Sequence, residues 1–502
     1  MNSVRIILIV AIFSIFLGSN AFSAGENGRF ICGGAAETEI WSLWDSNVKE
    51  YIIRKQVQER LLKQKDVYAL YDIQTYAHNM VSMASRCKRI ERLTEVADII
   101  SIAYSALESA PDESTGRRWV CRGGSICNDK NRLINTEVML CSVQFLGLAS
   151  SVANALAKSG VSLNEKQKTF IQDTAQILFE HFLRWGGDST IAAMQKSLSA
   201  KPEDVKDGSS SLFFTDKPLW LITIYAELAG ILESNGRNGL NIVLPDRAQQ
   251  ERLKKHFATL MEFFLSRISY RYIFDNENGE IKLADIDRGF WRLYSDNRYA
   301  GYEGSDKPAV CMPDETNPKK KRVQVQIDAK NVPKRDDTGW DISHARRLVH
   351  ALDALERNSL AIRKIFLNVF KMLPSDITRA FANTLVYVMW NGDSKYPLFS
   401  NYLSGANGWY RVAYDIGTGD CREGTPPYGL THSFPTGGYI TWARYNTTIG
   451  SLGRRLYELA NSTDEADIKF LSRYYAGLKK DEKSQSAILT KFMFLPTLVT
   501  KD

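Results

Sequence analysis

Apolar residues along this chain recur at spacings of three and four far more often than at two, which is the period of a helix with one face turned inward. Ile171, Leu178, Phe182 and Trp185 form one such stripe, and Phe257, Leu260, Met261, Phe264 and Ile268 form another. From Trp220 to Leu232 the apolar positions cover well over half of the circumference, so burial on most sides is expected there. Asp216 is a plausible cap for that helix, with Pro218 in its first turn. The pattern predicts helices near 37–63, 66–86, 88–109, 133–158, 164–185, 188–199, 217–234, 246–271, 341–357, 359–371, 375–391, 446–461, 464–477 and 484–492. Short polar turns join many of them, which favours antiparallel neighbours. With no fixed repeat period along the chain, a regular solenoid is not expected. The fold class is mainly α, built of irregular antiparallel helical hairpins with a loop-rich segment carrying short strands.

Two stretches break this rhythm. Residues 272–340 carry Gly279, Gly289, Gly301, Gly304, Pro308, Pro313, Pro318 and Pro333 among many charges, and read as a long loop or lid between helical parts at 24–271 and 341–502. In 404–445 glycines alternate with Trp409, Tyr410, Tyr414, Tyr428, Phe434, Tyr439, Trp442 and Tyr445, which reads as loops with short strands.

The first residues change the picture of where the chain works. Arg5 precedes an apolar run from Ile6 to Leu17, and Ala21 and Ser23 suit cleavage beside small residues, so 1–23 reads as a signal peptide. The run is too short to span a bilayer comfortably, because a crossing helix needs roughly 20 apolar residues. The mature protein is therefore expected to be exported, periplasmic or secreted, with no membrane insertion after cleavage. Seven cysteines in such a chain allow three disulfides and one thiol. Cys121 and Cys127 flank a Gly-Gly turn that lets the chain fold back, so a local bridge between them is one possibility. A zinc reading lacks both the C-x2-C spacing and a nearby histidine, so neither a metal nor a cofactor is expected.

Charge excludes less. The net charge of +7 is mild for 502 residues and does not demand a nucleic-acid partner. The run from Pro318 to Val323 reads as a solvated basic loop, or as a contact for an anionic glycan.

The sharpest local chemistry is Gly339-Trp-Asp-Ile-Ser-His-Ala-Arg-Arg347, which opens a helix directly after the long loop. Asp341 is a reasonable cap, and at 100° per residue Ala345, Leu348, Leu352 and Leu355 form the buried stripe. His344 lies within the arc of that stripe, with Trp340 and Arg347 along its edge, while Arg346 and His350 project to the other side. Inward cationic and imidazole groups need partners, water or a ligand. His78, His181 and His256 read as structural. His432 differs, because it sits in the Gly/aromatic stretch. Asn407-Gly-Trp-Tyr-Arg-Val-Ala-Tyr-Asp415 adds an indole, a guanidinium and two phenols, and sugar-binding grooves combine such aromatic faces with planar hydrogen-bonding groups. No G-x-S-x-G elbow, phosphate loop or dinucleotide fingerprint occurs. Asp341, Asp415, Asp420 and Glu423 leave paired carboxylates for glycoside hydrolysis available.

Together the export signal, the helical hairpins, the inward His344 and Arg347 and the 407–415 stretch resemble the α/α-toroid polysaccharide lyases and related exported glycan-processing enzymes. That resemblance implies an incomplete α/α toroid and β-elimination from an acidic polysaccharide. It implies catalytic roles for His344, Arg347, Tyr410 and Tyr414, and substrate contacts from Trp340, Trp409, Arg411, His432 and Tyr439. Arg347 or Arg411 would neutralise the sugar carboxylate, and Tyr410, Tyr414 or His344 would be the base. A non-catalytic glycan-binding or envelope-assembly protein on the same scaffold is the rival expectation.

Overall fold

A computed structural model describes residues 28–501, apart from 110–115, 207–209, 277–278, 318–319, 373–374 and 416. The expected signal peptide lies outside the described residues. Five helices carry the centre: α1 (Tyr68–Arg86), α2 (Met139–Ala157), α3 (Asp216–Glu233), α4 (Ile342–Arg357) and α5 (Gln485–Leu498). Their neighbours run in the order α5, α1, α2, α3, α4, and both α4 and α5 also contact the short helical segments Ser433–Thr436 and Tyr439–Arg444.

Amphipathic helices lie against this centre, as their one-sided stripes require. Ile90–Tyr104 and Glu165–Trp185 pack on α2, and Arg247–Ser266 and Ser359–Ile365 pack on α3. An Asn164 capping box opens Glu165–Trp185 and an Asp246 capping box opens Arg247–Ser266, each satisfying end N–H groups that the helix itself cannot. Helix α2 is long and apolar enough to cross a membrane by composition, and here 83% of it is buried among its neighbours. Gly147 explains part of that fit, since a Cβ there would stand 2.5 Å from the Trp220 ring on α3.

The structure departs from the periodicity in several places, among them the helix expected over 88–109, which ends at Tyr104, and that expected over 133–158, which begins at Met139. The helix expected to reach 271 ends at Ser266, and Ile268–Asp275 becomes strand β1, paired antiparallel with β2 (Gly279–Ile286). Ile268 continues the apolar stripe of the helix, yet Tyr270, Tyr272 and Phe274 alternate outward as a strand requires. A second hairpin, β3 (Ala309–Pro313) with β4 (Lys321–Val325), also falls inside 272–340. The 404–445 stretch holds short helical segments and an isolated Tyr410–Thr425 bridge where short strands were expected.

Disulfides join Cys32 to Cys87, Cys121 to Cys127 and Cys311 to Cys421, and Cys141 is a buried thiol in α2. Three bridges fit an oxidising compartment. The Cys311–Cys421 link ties hairpin β3–β4 to the Gly/aromatic loops, where Tyr299, Ala309, Trp409 and Val412 form a small separate core. At the other end of the chain, Cys32 N–H donates to Thr500 and Thr500 N–H donates to Phe30, at 3.0 and 2.8 Å.

The centre is not wholly apolar. The His78 and His350 rings stack at 3.8 Å beside Trp220, and Gln74 lies 2.9 Å from the His78 ring. Farther along, the fully buried Glu227 accepts from Ser151 and Asn154 on α2 and from Arg357 and Asn358 at the end of α4. Burial, reinforced by Arg357, holds the His78 imidazole down to about 3. An unfolded histidine titrates near 6.5, so as pH falls below that value the unfolded chain binds a proton that the native chain refuses. Stability from this group is complete above the unfolded value and is lost on acidification. Melting temperatures between neutral pH and pH 4 should fall, and His78→Gln, which keeps an amide beside Gln74, should flatten that slope; an unaltered slope would remove His78 as its source.

Candidate functional site

Loops and helix ends converge above α1 and α4. Asp341, wholly buried, caps α4 by accepting from the backbones of Ser343 and His344 at 3.0 Å each. Its second oxygen meets His344 Nδ1 at 2.7 Å and the Trp291 indole N–H at 3.3 Å. Burial pushes the Asp341 carboxyl up, but His344 and these donors outweigh it and hold the group far below the ordinary carboxylate range. One buried carboxylate thus fixes the start of the helix and the orientation of the imidazole together.

Two cavities flank this point and share Tyr71, Leu140 and Arg411 in their walls, so they form two lobes of one groove. The first, about 650 Å³, is lined by His344, Arg346, Arg347, Tyr410, Arg411 and His432 among others. The second, about 630 Å³, is lined by Tyr68, Tyr71, Asp72, Lys130, Arg411 and Tyr414 among others. Residues far apart in the chain, 344–347 and 410–432, therefore face one hollow. Tyr414 belongs to the second lobe.

Three residues expected to touch sugar lie elsewhere. Trp340 is fully buried and its indole N–H donates to the Phe214 carbonyl at 3.1 Å. Trp409 fills the small core and donates to the Gly304 carbonyl at 2.9 Å. Tyr439 is fully buried, with its hydroxyl on the Ile342 carbonyl at 2.6 Å. None of the three lines either lobe. Their aromatic surface packs the loops onto the helices, so no ring face remains for a ligand. Among the acids considered for hydrolysis, Asp341 is held as the cap, Asp415 pairs with Lys130, Glu423 pairs with Lys307, and Asp420 is exposed outside both lobes.

Arg411 is placed by an unusual backbone. Its φ is 54°, left-handed, a conformation that costs a non-glycine residue about 1 kcal/mol or more. In return its N–H meets the Asp296 carbonyl and its Nε the Asp296 carboxylate, both at 3.0 Å, which aims the guanidinium between the Tyr410 and Tyr414 rings. Despite that cation, burial pushes the Tyr410 phenol well above its ordinary value, and burial raises Tyr414 as well. Neither phenol is prepared to ionise. Tyr410 is suited instead to hold and donate a proton.

The phenol prepared to ionise is Tyr71, which the sequence reading passed over. Its oxygen accepts from Arg347 Nη2 at 3.0 Å and from Arg346 Nη2 at 3.4 Å, where α4 crosses the start of α1. Burial pushes this phenol up, but Arg347 and Arg346 more than compensate and hold it below the ordinary tyrosine value. Arg346 was expected to project away from the groove. Successive residues on a helix differ by only 100°, so Arg346 and Arg347 instead straddle the one phenol between them. Behind them Arg347 also bonds the Ser343 carbonyl at 2.9 Å and faces Asp216 at 3.5 Å.

No protein-family model, curated protein or solved structure matches this chain. The geometry alone carries the reading of the site.

Proposed function

We propose that this protein is an exported, periplasmic or secreted enzyme that cleaves an acidic polysaccharide by β-elimination in the two-lobed groove. The observation that carries the proposal is the Tyr71 hydroxyl, which accepts from two guanidinium groups where the lobes meet. Elimination needs a base for the proton beside the sugar carboxylate, a cation to hold the enolate charge that develops, and an acid for the departing oxygen. Tyr71 as phenolate takes the proton, and the electron pair of that C–H bond forms the new double bond. The bond to the next sugar breaks with its pair on oxygen, which receives a proton from Tyr410 or His344. Arg347 and Arg411 neutralise the carboxylate, and His432 lines the rim of the same lobe. The incomplete α/α toroid belongs to the same reading, supported by the succession of central helices that returns through 433–444 to α5.

Incubation of the full chain with uronate-containing polysaccharides should release chain ends with the ultraviolet absorbance of an unsaturated uronate. New reducing ends without that absorbance would indicate hydrolysis. Tight binding without cleavage would make the protein a glycan-binding or envelope-assembly component.

A further inference from the structure

The two lobes differ in charge. In the first, four arginines (Arg346, Arg347, Arg411 and Arg473) stand against one lining carboxylate, Asp216, which faces Arg347 at 3.5 Å, and Arg411 is held from outside the lobe by Asp296. Arg346 bonds only hydroxyls, Tyr71 and Thr75 at 3.4 Å each, and among the described residues no carboxylate stands within ion-pair distance of it. Arg473 contacts the Tyr474 ring at 5.1 Å and is likewise unpaired with any carboxylate among the described residues. The Nε of Arg347 is buried without a hydrogen-bond partner. Arg346 is half-buried and Arg347 buried, and guanidinium groups so placed with one carboxylate between them gain when an anion arrives, while Arg473 lines the lobe from an exposed position.

In the second lobe every cation is already answered. Arg60 is held by Asp66 and Asp72, Lys130 by Asp415, and the shared Arg411 by Asp296. Asp72 and Asp415 line the wall themselves, so an incoming carboxylate there would face like charge and lose water without gaining a free donor. What the second lobe does offer is the rings of Tyr68 and Tyr414 and the apolar Ile126, Leu133 and Leu140, surfaces suited to the C–H faces of an uncharged sugar.

We infer that the groove is built for a heteropolymer in which an acidic sugar is joined to an uncharged one, with the acidic unit in the first lobe and the uncharged unit in the second. This rests on the reading of the groove as a polysaccharide site, and it names the class of polymer. A polymer made only of uronates would place a carboxylate against Asp72 and Asp415.

The test measures binding by calorimetry at physiological salt, which screens non-specific attraction of polyanions. Two oligosaccharide sets of equal length are compared, one all-uronate and one in which glucuronate alternates with a neutral hexose. With the full chain carrying Tyr71→Phe, so that no turnover intervenes, the alternating set should bind at least about tenfold more tightly, the scale of one carboxylate left without a partner. Equal or tighter binding of the all-uronate set overturns the inference, as does absence of binding by both. Added to the same Tyr71→Phe chain, Asp415→Asn frees the charge of Lys130 in the second lobe and should shift the ratio about fivefold or more toward the all-uronate set. A ratio that does not move overturns the assignment of the second lobe. Release of unsaturated ends by the unaltered protein is scored separately: the predicted preference without those ends keeps the polymer class and removes the elimination chemistry.

Discussion

Tyr71→Phe is expected to lower turnover of a cleavable polysaccharide by about a hundredfold to ten-thousandfold, the usual contribution of a positioned general base. The change removes one oxygen and leaves the ring, so the packing of α1 against α4 and the volume of the groove are preserved. Substrate affinity should therefore change little, and the loss should fall on kcat, because the proton transfer is made only in the transition state. A circular dichroism spectrum and melting temperature close to those of the unaltered chain would confirm that the fold is kept. The pH profile gives an independent check. Tyr71 acts as a base only when deprotonated, so activity should rise with pH through its titration. Because Arg347 and Arg346 hold the phenol below its ordinary value, that rise should come at lower pH than for a free tyrosine. Arg346→Met removes one of the two cations and should move the rise to higher pH. A profile that stays in place, or a Tyr71→Phe variant with full turnover, would take Tyr71 out of the mechanism.

The largest effect on stability is expected at Glu227. Its side chain is fully buried and joins α3 to α2 through Ser151 and Asn154 and to α4 through Arg357 and Asn358. Glu227→Gln keeps the shape but turns an acceptor-only group into one that must also donate, and it leaves the Arg357 guanidinium short of charge. Breaking a buried pair from one side costs about 3–5 kcal/mol; Arg357 is 34% exposed and also bonds Asp353 at 3.2 Å, which places the expected loss near the lower end. Denaturant unfolding should show the midpoint falling at a constant slope. Adding Arg357→Met should recover part of the loss, because the stranded cation is then gone. Purely additive losses would mean that the two groups do not act as a pair.

How much of this was legible in the sequence depends on the distance over which each feature is built. Glu165–Trp185 and Asp216–Glu233 follow from stripes contained in their own residues, and their ends fall within one residue of the expected ones, although Asp216 is the first helical residue and not the cap it was expected to be. Asp341 as a cap, with His344 and Arg347 turned inward, is likewise local. Their meeting with Tyr410, Arg411 and His432 could be stated only as a hope that two segments converge. Tyr71 left no local mark, since its partners Arg346 and Arg347 stand 275 and 276 positions away and an isolated tyrosine in an amphipathic helix resembles any other. The aromatic positions show the same limit from the other side. Trp340, Trp409 and Tyr439 have the composition of a sugar platform, but whether a ring faces solvent or core is decided by packing that no window of sequence contains. The β1–β2 hairpin was readable in the alternation of Tyr270, Tyr272 and Phe274, and was masked because Ile268 extended the preceding stripe.

The pairing of Phe30 and Thr500 has a consequence for engineering. With the first and last described segments held side by side, the polypeptide path is nearly a closed loop, and its topology depends little on where the break is placed. A short glycine and serine connector across that junction, with new ends opened at the exposed turn around Gly160, would yield a circular permutant that keeps every helix contact and presents its new ends beyond α2, at a site suited to tethering the protein to a surface.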